Sequence, residues 1–415
     1  MKKAILILSH QLLSMVDPLK HRLMQGGYGY FILSSASARL AAPAWHADPE
    51  DIKITKGLHL TQQDIDAVVA DTAQTHEFIG CISVWDGYRG LMAYANQRFG
   101  AQDIREETVA LLRDKLAMRN RLCRAGLSRV SAQVLDEDIY QSITEPEKYF
   151  IKPRIGLASM GTFPASQLTS YAQLAPLRQH AASDKQYAGV FPPDNDFIIE
   201  GLISGTECSF EVSLHQGRLE VLAVHEKLEV SQAAFSVLEG ACVCPPRALS
   251  TVQLAAGTRL LEQVMATLGV ETGVYHVELK CDAQDHWEVI EINPRIGGAY
   301  IVESTRLHSG VCLLQRWLAL ITGAPLAEKS PAQRSTFFRV FFGRPGKTLS
   351  RLERTPTGPA AVKDTLLFKP HDTLPQVERE IFLGMALWDI TDMPPADQPA
   401  FFSRTQGYIT TEYLA

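Results

Sequence analysis

Residues 274–298 read VYHVELKCDAQDHWEVIEINPRIGG, and their reading decides the fold. Residues 274–280 and 287–293 are β-branched and aromatic runs, and the polar break at 282–286 suits a hairpin loop between two strands. With a side-chain period of two, Glu291 and Asn293 share one face, and antiparallel pairing brings Glu278 opposite them. Acidic groups so placed repel unless a hard cation sits between them, and Mg²⁺ prefers a few such oxygens together with phosphates. The competing reading is a solvated hairpin face.

Around this stretch the chain is ordinary for a soluble protein of two or three domains: 415 residues, 46% hydrophobic and 21% charged. Forty basic and 46 acidic side chains leave a net charge of −6, so nucleic acid and anionic membrane are not expected partners. The apolar run at 4–8 is too short for a signal-peptide core, and no 18 apolar residues run together, which places the protein in the cytoplasm. Seven cysteines at 81, 123, 208, 242, 244, 281 and 312 lack the paired spacing of a zinc site. Cys242 and Cys244 are the only close pair, and reduced, partly buried thiols are the expectation.

Upstream, a strand at 3–9, a helical stretch at 12–25, a turn at 26–29 and further strands at 31–34 and 79–85 predict an open α/β sheet over residues 1 to about 110. The glycines at 26, 27 and 29 follow a helix and lack GxGxxG spacing, so they read as a loop. One helix is predicted over 105–125, with Val109, Leu112, Leu116 and Leu122 apolar and Arg113, Lys115, Arg119 and Arg121 on its polar side. Lys115 alone would read as a solvated charge. A strand at 149–154 then delivers Lys152 to the edge of a loop, 155–161, whose small residues would let backbone amides approach a polyphosphate. Stretches 197–202, 207–214 and 218–224 predict a meander of three antiparallel strands, the first ending at Glu200. A helix at 254–268 stopped by Gly269, a second at 302–322, and a strand-rich tail beyond Gly323 complete the pattern.

In this order the elements resemble the ATP-grasp superfamily, and within it the carboxylate–amine ligases, closest to the L-amino-acid (dipeptide) ligases. Four stretches carry the likeness: Arg113-Asp114-Lys115-Leu-Ala-Met-Arg119; Ile151-Lys152-Pro153 with its loop; Ile199-Glu200-Gly201-Leu-Ile-Ser-Gly205-Thr-Glu207; and His276-Val-Glu278 with Glu291-Ile-Asn293-Pro-Arg295-Ile-Gly-Gly298. The last is the specific one. The resemblance implies an α/β (α+β) ATP-grasp fold: an N-terminal open α/β domain at 1–112, a lid subdomain at 113–190, an antiparallel-sheet catalytic subdomain at 191–323 and a small C-terminal domain at 324–415.

It also implies ATP and Mg²⁺ as cofactors, with Mn²⁺ able to substitute. Lys115 and Lys152 would meet the phosphates, Ser159, Met160 and Gly161 would lie over them, and Glu200, Gly201, Leu202 and Glu207 would hold the nucleoside. Glu278, Glu291 and Asn293 would hold the metal. Arg295 would act with Lys152 in catalysis, its planar fork matching an acyl phosphate; the competing reading is a salt bridge to Glu278 or Glu291. Gly297, Gly298 and Arg306 would face substrate. The implied partners are a small carboxylate and an amine, and the resemblance allows a homodimer. His276, His308 and Ser304 are read as structural, and Arg339 and Arg344 as surface ion pairs rather than substrate contacts. The loop at 157–158 carries Leu-Ala where relatives have more glycine or serine, and 300–306 has its own sequence, so the substrates stay open. Two alternatives stand beside the amino-acid ligase: a ligase of purine or cofactor biosynthesis, and a nucleotide-binding protein without turnover.

Overall fold

The computed structural model describes residues 1–11, 16–36, 51–192, 194–233, 235–331, 333–377 and 381–414. Strands β1 (Lys2–Ser9), β2 (Gly29–Ser34), β3 (Ile52–Ile54) and β4 (His76–Ile82) form an all-parallel sheet in the order β3-β2-β1-β4, as the strand–helix alternation predicts. The helix expected over 12–25 runs from Val16 to Gln25; residues 12–15 lie outside those described. This sheet packs on the helix Leu313–Thr322, and Gly80 permits the approach, because a Cβ there would lie 2.4 Å from Ile321 Cγ2.

The helix predicted over 105–125 is two helices, Glu106–Arg113 and Lys115–Arg124. Asp114 breaks them apart in an extended conformation and caps the second, its Oδ1 accepting from Leu116 N at 3.1 Å and Ala117 N at 3.0 Å. The apolar period is continuous across the break, so periodicity alone could not reveal it. Likewise 302–322 divides into Ile301–Ser309 and Leu313–Thr322 at Gly310, which takes φ +76°.

Next, β5 (Ala132–Val134), β6 (Tyr149–Pro153), β7 (Phe163–Pro164) and β8 (Phe197–Gly201) make an antiparallel sheet in the order β5-β8-β6-β7. The three-strand meander expected from 197 onward is therefore incorrect in its first member. The strand at 197–201 pairs with β6, where Ile151 faces Ile199, while the second and third members, β9 (Thr206–His215) and β10 (Arg218–Ala233), do pair with each other as a hairpin. Gly205, at φ +114° with its Cα close against Cys281, is where the chain passes from one sheet to the other.

With β11 (Ser236–Cys244), β12 (Gly273–Cys281), β13 (Trp287–Asn293), β14 (Thr336–Gly343), β16 (Lys363–Leu366) and β17 (Ile381–Asp389), these strands build an eight-stranded antiparallel sheet ordered β13-β12-β9-β10-β11-β14-β17-β16. The strand-rich tail thus extends this central sheet, and β15 (Leu349–Arg354) pairs with β18 (Ile409–Tyr413) beside it. The helix Thr251–Thr267, capped by Ser250, covers one face of the sheet and contributes Leu261, Val264 and Met265 to the core. Among the described residues no helix is long and apolar enough to cross a membrane.

Candidate functional site

The hairpin read from residues 274–298 forms as expected: β12 pairs with β13, His276 faces Asn293 and Glu278 faces Glu291. Asn293 Nδ2 donates to Glu291 Oε1 at 2.8 Å, so the three oxygen-bearing side chains converge on one face. Glu278 and Glu291 form part of the floor of a cavity of about 290 Å³ whose roof is the β5–β8 sheet and the loop at 156–160. Lys115, Lys152, Ser159, Met160, Glu200, Leu202, Glu207, Glu278 and Glu291 line it. Asn293, Arg295, Gly161, Gly201, Gly297 and Gly298 are not part of that lining, and Arg306 lies exposed on its helix.

Two lysines enter from the roof side, and neither is solvated as a polar helix face would suggest. Lys115, the first residue after the Asp114 break, places its ammonium 3.1 Å from Glu291 and 3.4 Å from the Gly156 carbonyl. Lys152 on β6 is buried against Glu200, which Arg119 also holds at 3.3 Å. Burial and the neighbouring Arg119 lower the Lys152 pKa further than Glu200 raises it. Glu200 is itself opposed by burial, but Lys152 and Arg119 hold its carboxyl below the usual range. Arg119, on the polar side of its helix, is fully buried and also donates to Glu288 at 2.6 Å, its partners coming from other strands.

The loop that follows Lys152, against which Lys115 also rests, is anchored at its base. Arg154 donates to Asp114 Oδ2 through Nε at 2.9 Å and Nη2 at 2.7 Å, and Asn195 bridges the Ile155 amide and carbonyl. Ala158 and Ser159, which line the cavity, adopt φ of +56° and +52°, a left-handed backbone that L side chains rarely take up. Gly161 N donates to Phe235 O at the tip of the β10–β11 hairpin.

Sequence reasoning missed the most densely charged part of the floor. Lys227 on β10 is buried among three carboxylates: Glu207 at 2.7 Å, Glu239 at 2.5 Å and Glu278 at 3.0 Å. Burial opposes its charge, yet Glu239, Glu278 and Glu207 together raise its pKa well above that of a free lysine. Oxygens of the three glutamates lie within 4.8 Å of one another. Burial and the repulsion of Glu278 and Glu207 leave the Glu239 carboxyl above its usual range in spite of Lys227, so the cluster is short of positive charge. Hard carboxylate oxygens deficient in counter-charge, with Glu291 and Asn293 beside them, fit a divalent cation such as Mg²⁺. Alternation of His225 and Lys227 beyond the strand read at 218–224 was the available signal.

Beneath Glu278 lies a buried relay. His276 Nε2 meets Glu278 Oε1 at 3.2 Å and His276 Nδ1 meets Glu211 Oε1 at 2.7 Å. Burial disfavours the imidazolium, but Glu211 and Glu278 push its pKa up to about 10. Gly297 is required here, since a Cβ would lie 2.8 Å from His276 Nδ1 and 2.6 Å from Ile301. His308 and Ser304 are structural, bonding Arg334 O and the His225–Thr336 pair. Arg295 makes its ion pair with Asp86, at 3.6 Å, rather than with Glu278 or Glu291. Arg339 is buried between Glu229 and Thr405, so reading it as a surface pair was incorrect; strand β14 lies inside the sheet. All seven cysteines are free, six of them buried.

With this geometry in view, residues 146–303 match the model of a family described as an ATP-grasp domain. Comparison of the sequence with curated proteins gives no match. Among solved structures, the L-amino acid ligase from Bacillus licheniformis superposes with a TM-score of 0.79 at 16% identity, covering 100% of this chain and 99% of that one. Phosphoribosylglycinamide synthetase from Anaerococcus prevotii gives 0.67 at 12% identity, covering 99% and 100%. The biotin carboxylase domain of 2-oxoglutarate carboxylase from Hydrogenobacter thermophilus, solved with MgADP, gives 0.66 at 12%, covering 99% and 91%.

Proposed function

We propose, from the premise that residues 146–303 are an ATP-grasp domain in a chain that has the ATP-grasp fold, that this protein is an ADP-forming carboxylate–amine ligase acting on amino acids. The observation that carries the reading is the convergence on one cavity of Lys115 and Lys152 from one side and Glu278 and Glu291 from the other, with Asn293 hydrogen-bonded to Glu291 beside them. A site for a magnesium nucleotide needs cations for phosphate and hard oxygens for metal, and these five side chains supply both. The higher TM-score of the amino acid ligase supports amino acids as the substrates.

In this reading the substrate carboxylate attacks the γ-phosphorus of ATP, the bond to the β-phosphate oxygen breaks, and ADP leaves an acyl phosphate. The amine of the second substrate then attacks the acyl carbon and loses a proton, phosphate departs, and an amide remains. Glu278, Glu291 and Asn293 would hold Mg²⁺, which would supply charge neutralisation to the phosphates. Lys152, released from Glu200, and Lys115, released from Glu291, bind and orient the transferring group, so positioning provides most of the acceleration. Ser159, Met160 and Gly161 close over the phosphates and exclude water. Glu200, Gly201, Leu202 and Glu207 hold the nucleoside, while Arg295 offsets charge at the acyl phosphate beside Gly297 and Gly298.

The test is phosphate release from MgATP across a matrix of amino acids supplied singly and in pairs, with mass spectrometry of the products. Release that requires a pair and yields its dipeptide is expected. Glu291→Gln and Arg295→Ala are expected to abolish product with the circular dichroism spectrum intact; near-normal turnover in both would overturn the assignment.

A further inference from the structure

The segment 85–89, just past β4, reaches the turn at 293–296. Arg89, buried and paired with Asp103, donates from Nε to the Pro294 carbonyl at 2.8 Å, which fixes the backbone of the turn that carries Arg295. One turn earlier in the same segment, Asp86 is 4% exposed. Its Oδ2 accepts from Arg113 Nε at 3.1 Å, while its Oδ1 has no hydrogen-bond partner and lies 3.6 Å from Arg295 Nε. On the other side, Arg113 Nη2 is also buried without a partner.

A buried carboxylate with one free oxygen is costly unless cations compensate it. Burial opposes the Asp86 charge, but Arg113, Arg295 and Lys115 together hold the carboxyl below its usual range, so it stays ionised. The two guanidinium groups that share this carboxylate come from different units: Arg113 ends the helix before the Asp114 break, and Arg295 follows strand β13. Unshielded, they would repel each other.

We infer that Asp86 is a positioning residue that yokes Arg113 and Arg295 into a paired guanidinium site for the phosphorylated substrate. Resting on the ligase reading above, it adds Arg113 as a second arginine at the acyl phosphate and makes the N-terminal unit responsible for aiming both. Arg295 keeps Nη1 on the Ile296 carbonyl at 2.8 Å, so a carboxylate at Nε sets the one remaining degree of freedom, the rotation of the fork. Asp86 touches neither substrate nor the reacting atoms.

The experiment is Asp86→Asn, which keeps shape and removes charge. The ¹H–¹⁵N resonance of Arg295 Nε, assigned by its loss in Arg295→Lys, is expected to shift toward that of a free guanidinium. In steady-state assays kcat is expected to fall about 10²-fold, the scale of a misplaced catalytic group, with KM for MgATP unchanged. An unmoved resonance, or a loss confined to KM for MgATP, would overturn the inference. Should Asp86→Asn fail to fold, Arg113→Gln serves: Asp86 then answers to Arg295 alone, the resonance is expected to shift the opposite way, and no shift would overturn the yoke. The resonance needs no turnover, so a wild-type protein that joins no pair of substrates would remove the ligase reading without touching this test.

Discussion

Lys152 and Lys227 are both buried, one lining the central cavity and the other held against its floor residue Glu278, and they are opposite in character. Lys152 has one carboxylate, Glu200, which it shares with Arg119, and its pKa is lowered by burial. Three carboxylates surround Lys227 and raise its pKa well above the ordinary value. Desolvation is common to both, so the number of partners decides the sign. A lysine with one shared partner can exchange it for a phosphate oxygen at modest cost, whereas one that closes a cage of three cannot leave without stranding charge. Lys152 therefore suits the moving ligand and Lys227 the fixed counter-charge.

The largest effect expected from breaking this contrast is in Lys227→Met, which keeps the volume and removes the cation. Glu207, Glu239 and Glu278 would then be held together without their shared counter-charge, with Lys280 on Glu207 and His276 on Glu278 remaining, and a loss of about 3–5 kcal/mol is expected in urea denaturation at neutral pH. A loss under about 1 kcal/mol, the scale of a surface pair, would mean that solvent already shields the cage. Added Mg²⁺ should restore part of the loss, since a divalent cation replaces the missing charge.

The next effect is in pH dependence, because the cage has a second cation, His276, on the other oxygen of Glu278. Its folded pKa, about 10, lies above the unfolded value near 6.5, so its stabilisation is complete below pH 6.5 and is lost as pH rises toward 10. The folded state holds one more proton than the unfolded state within that window, which corresponds to about 1.4 kcal/mol per pH unit. Urea midpoints at pH 6.5, 7.5 and 8.5 should fall with this slope in the wild type relative to His276→Gln. Parallel lines for the two proteins would show that His276 is neutral in the fold.

How much of this was legible in the sequence follows from how local each signal is. The hairpin at 274–298 was read to the residue pair because period-two alternation and a polar break are properties of adjacent residues. Lys227 escaped because β10 carries register shifts between Val221 and Ala223 and again between Lys227 and Glu229, which interrupt the alternation that would have aligned it with the site. The helical spacing marks Arg119 only as polar, and its partners Glu200 and Glu288 are 81 and 169 residues away. Strand 197–201 was identified as a strand but given the wrong neighbours, since strand character is local and pairing is not. Asp86 carried no motif, and only the fold reveals that segment 85–89 meets the turn at 293–296.

Lys152→Met gives the smallest stability change of the three and the sharpest functional one. Glu200 keeps Arg119 at 3.3 Å when Lys152 is removed, so one carboxylate oxygen loses its partner while the charge remains compensated. The expected cost is about 1–2 kcal/mol, that of a single unsatisfied buried group. Burial also disfavours the Lys152 ammonium itself, and deleting it returns part of that cost, which keeps the net change at the lower end. Nucleotide binding should respond in the opposite proportion, because a phosphate contact made in place of Glu200 is lost whole. MgATP affinity measured by calorimetry is expected to fall by about tenfold or more, equivalent to 1.4 kcal/mol or greater. In Lys227→Met the order would reverse, with stability suffering more than affinity. If Lys152→Met destabilised the fold as much as Lys227→Met and left MgATP affinity unchanged, partner number would not be what separates the two lysines, and Lys152 would be a structural cation like the other.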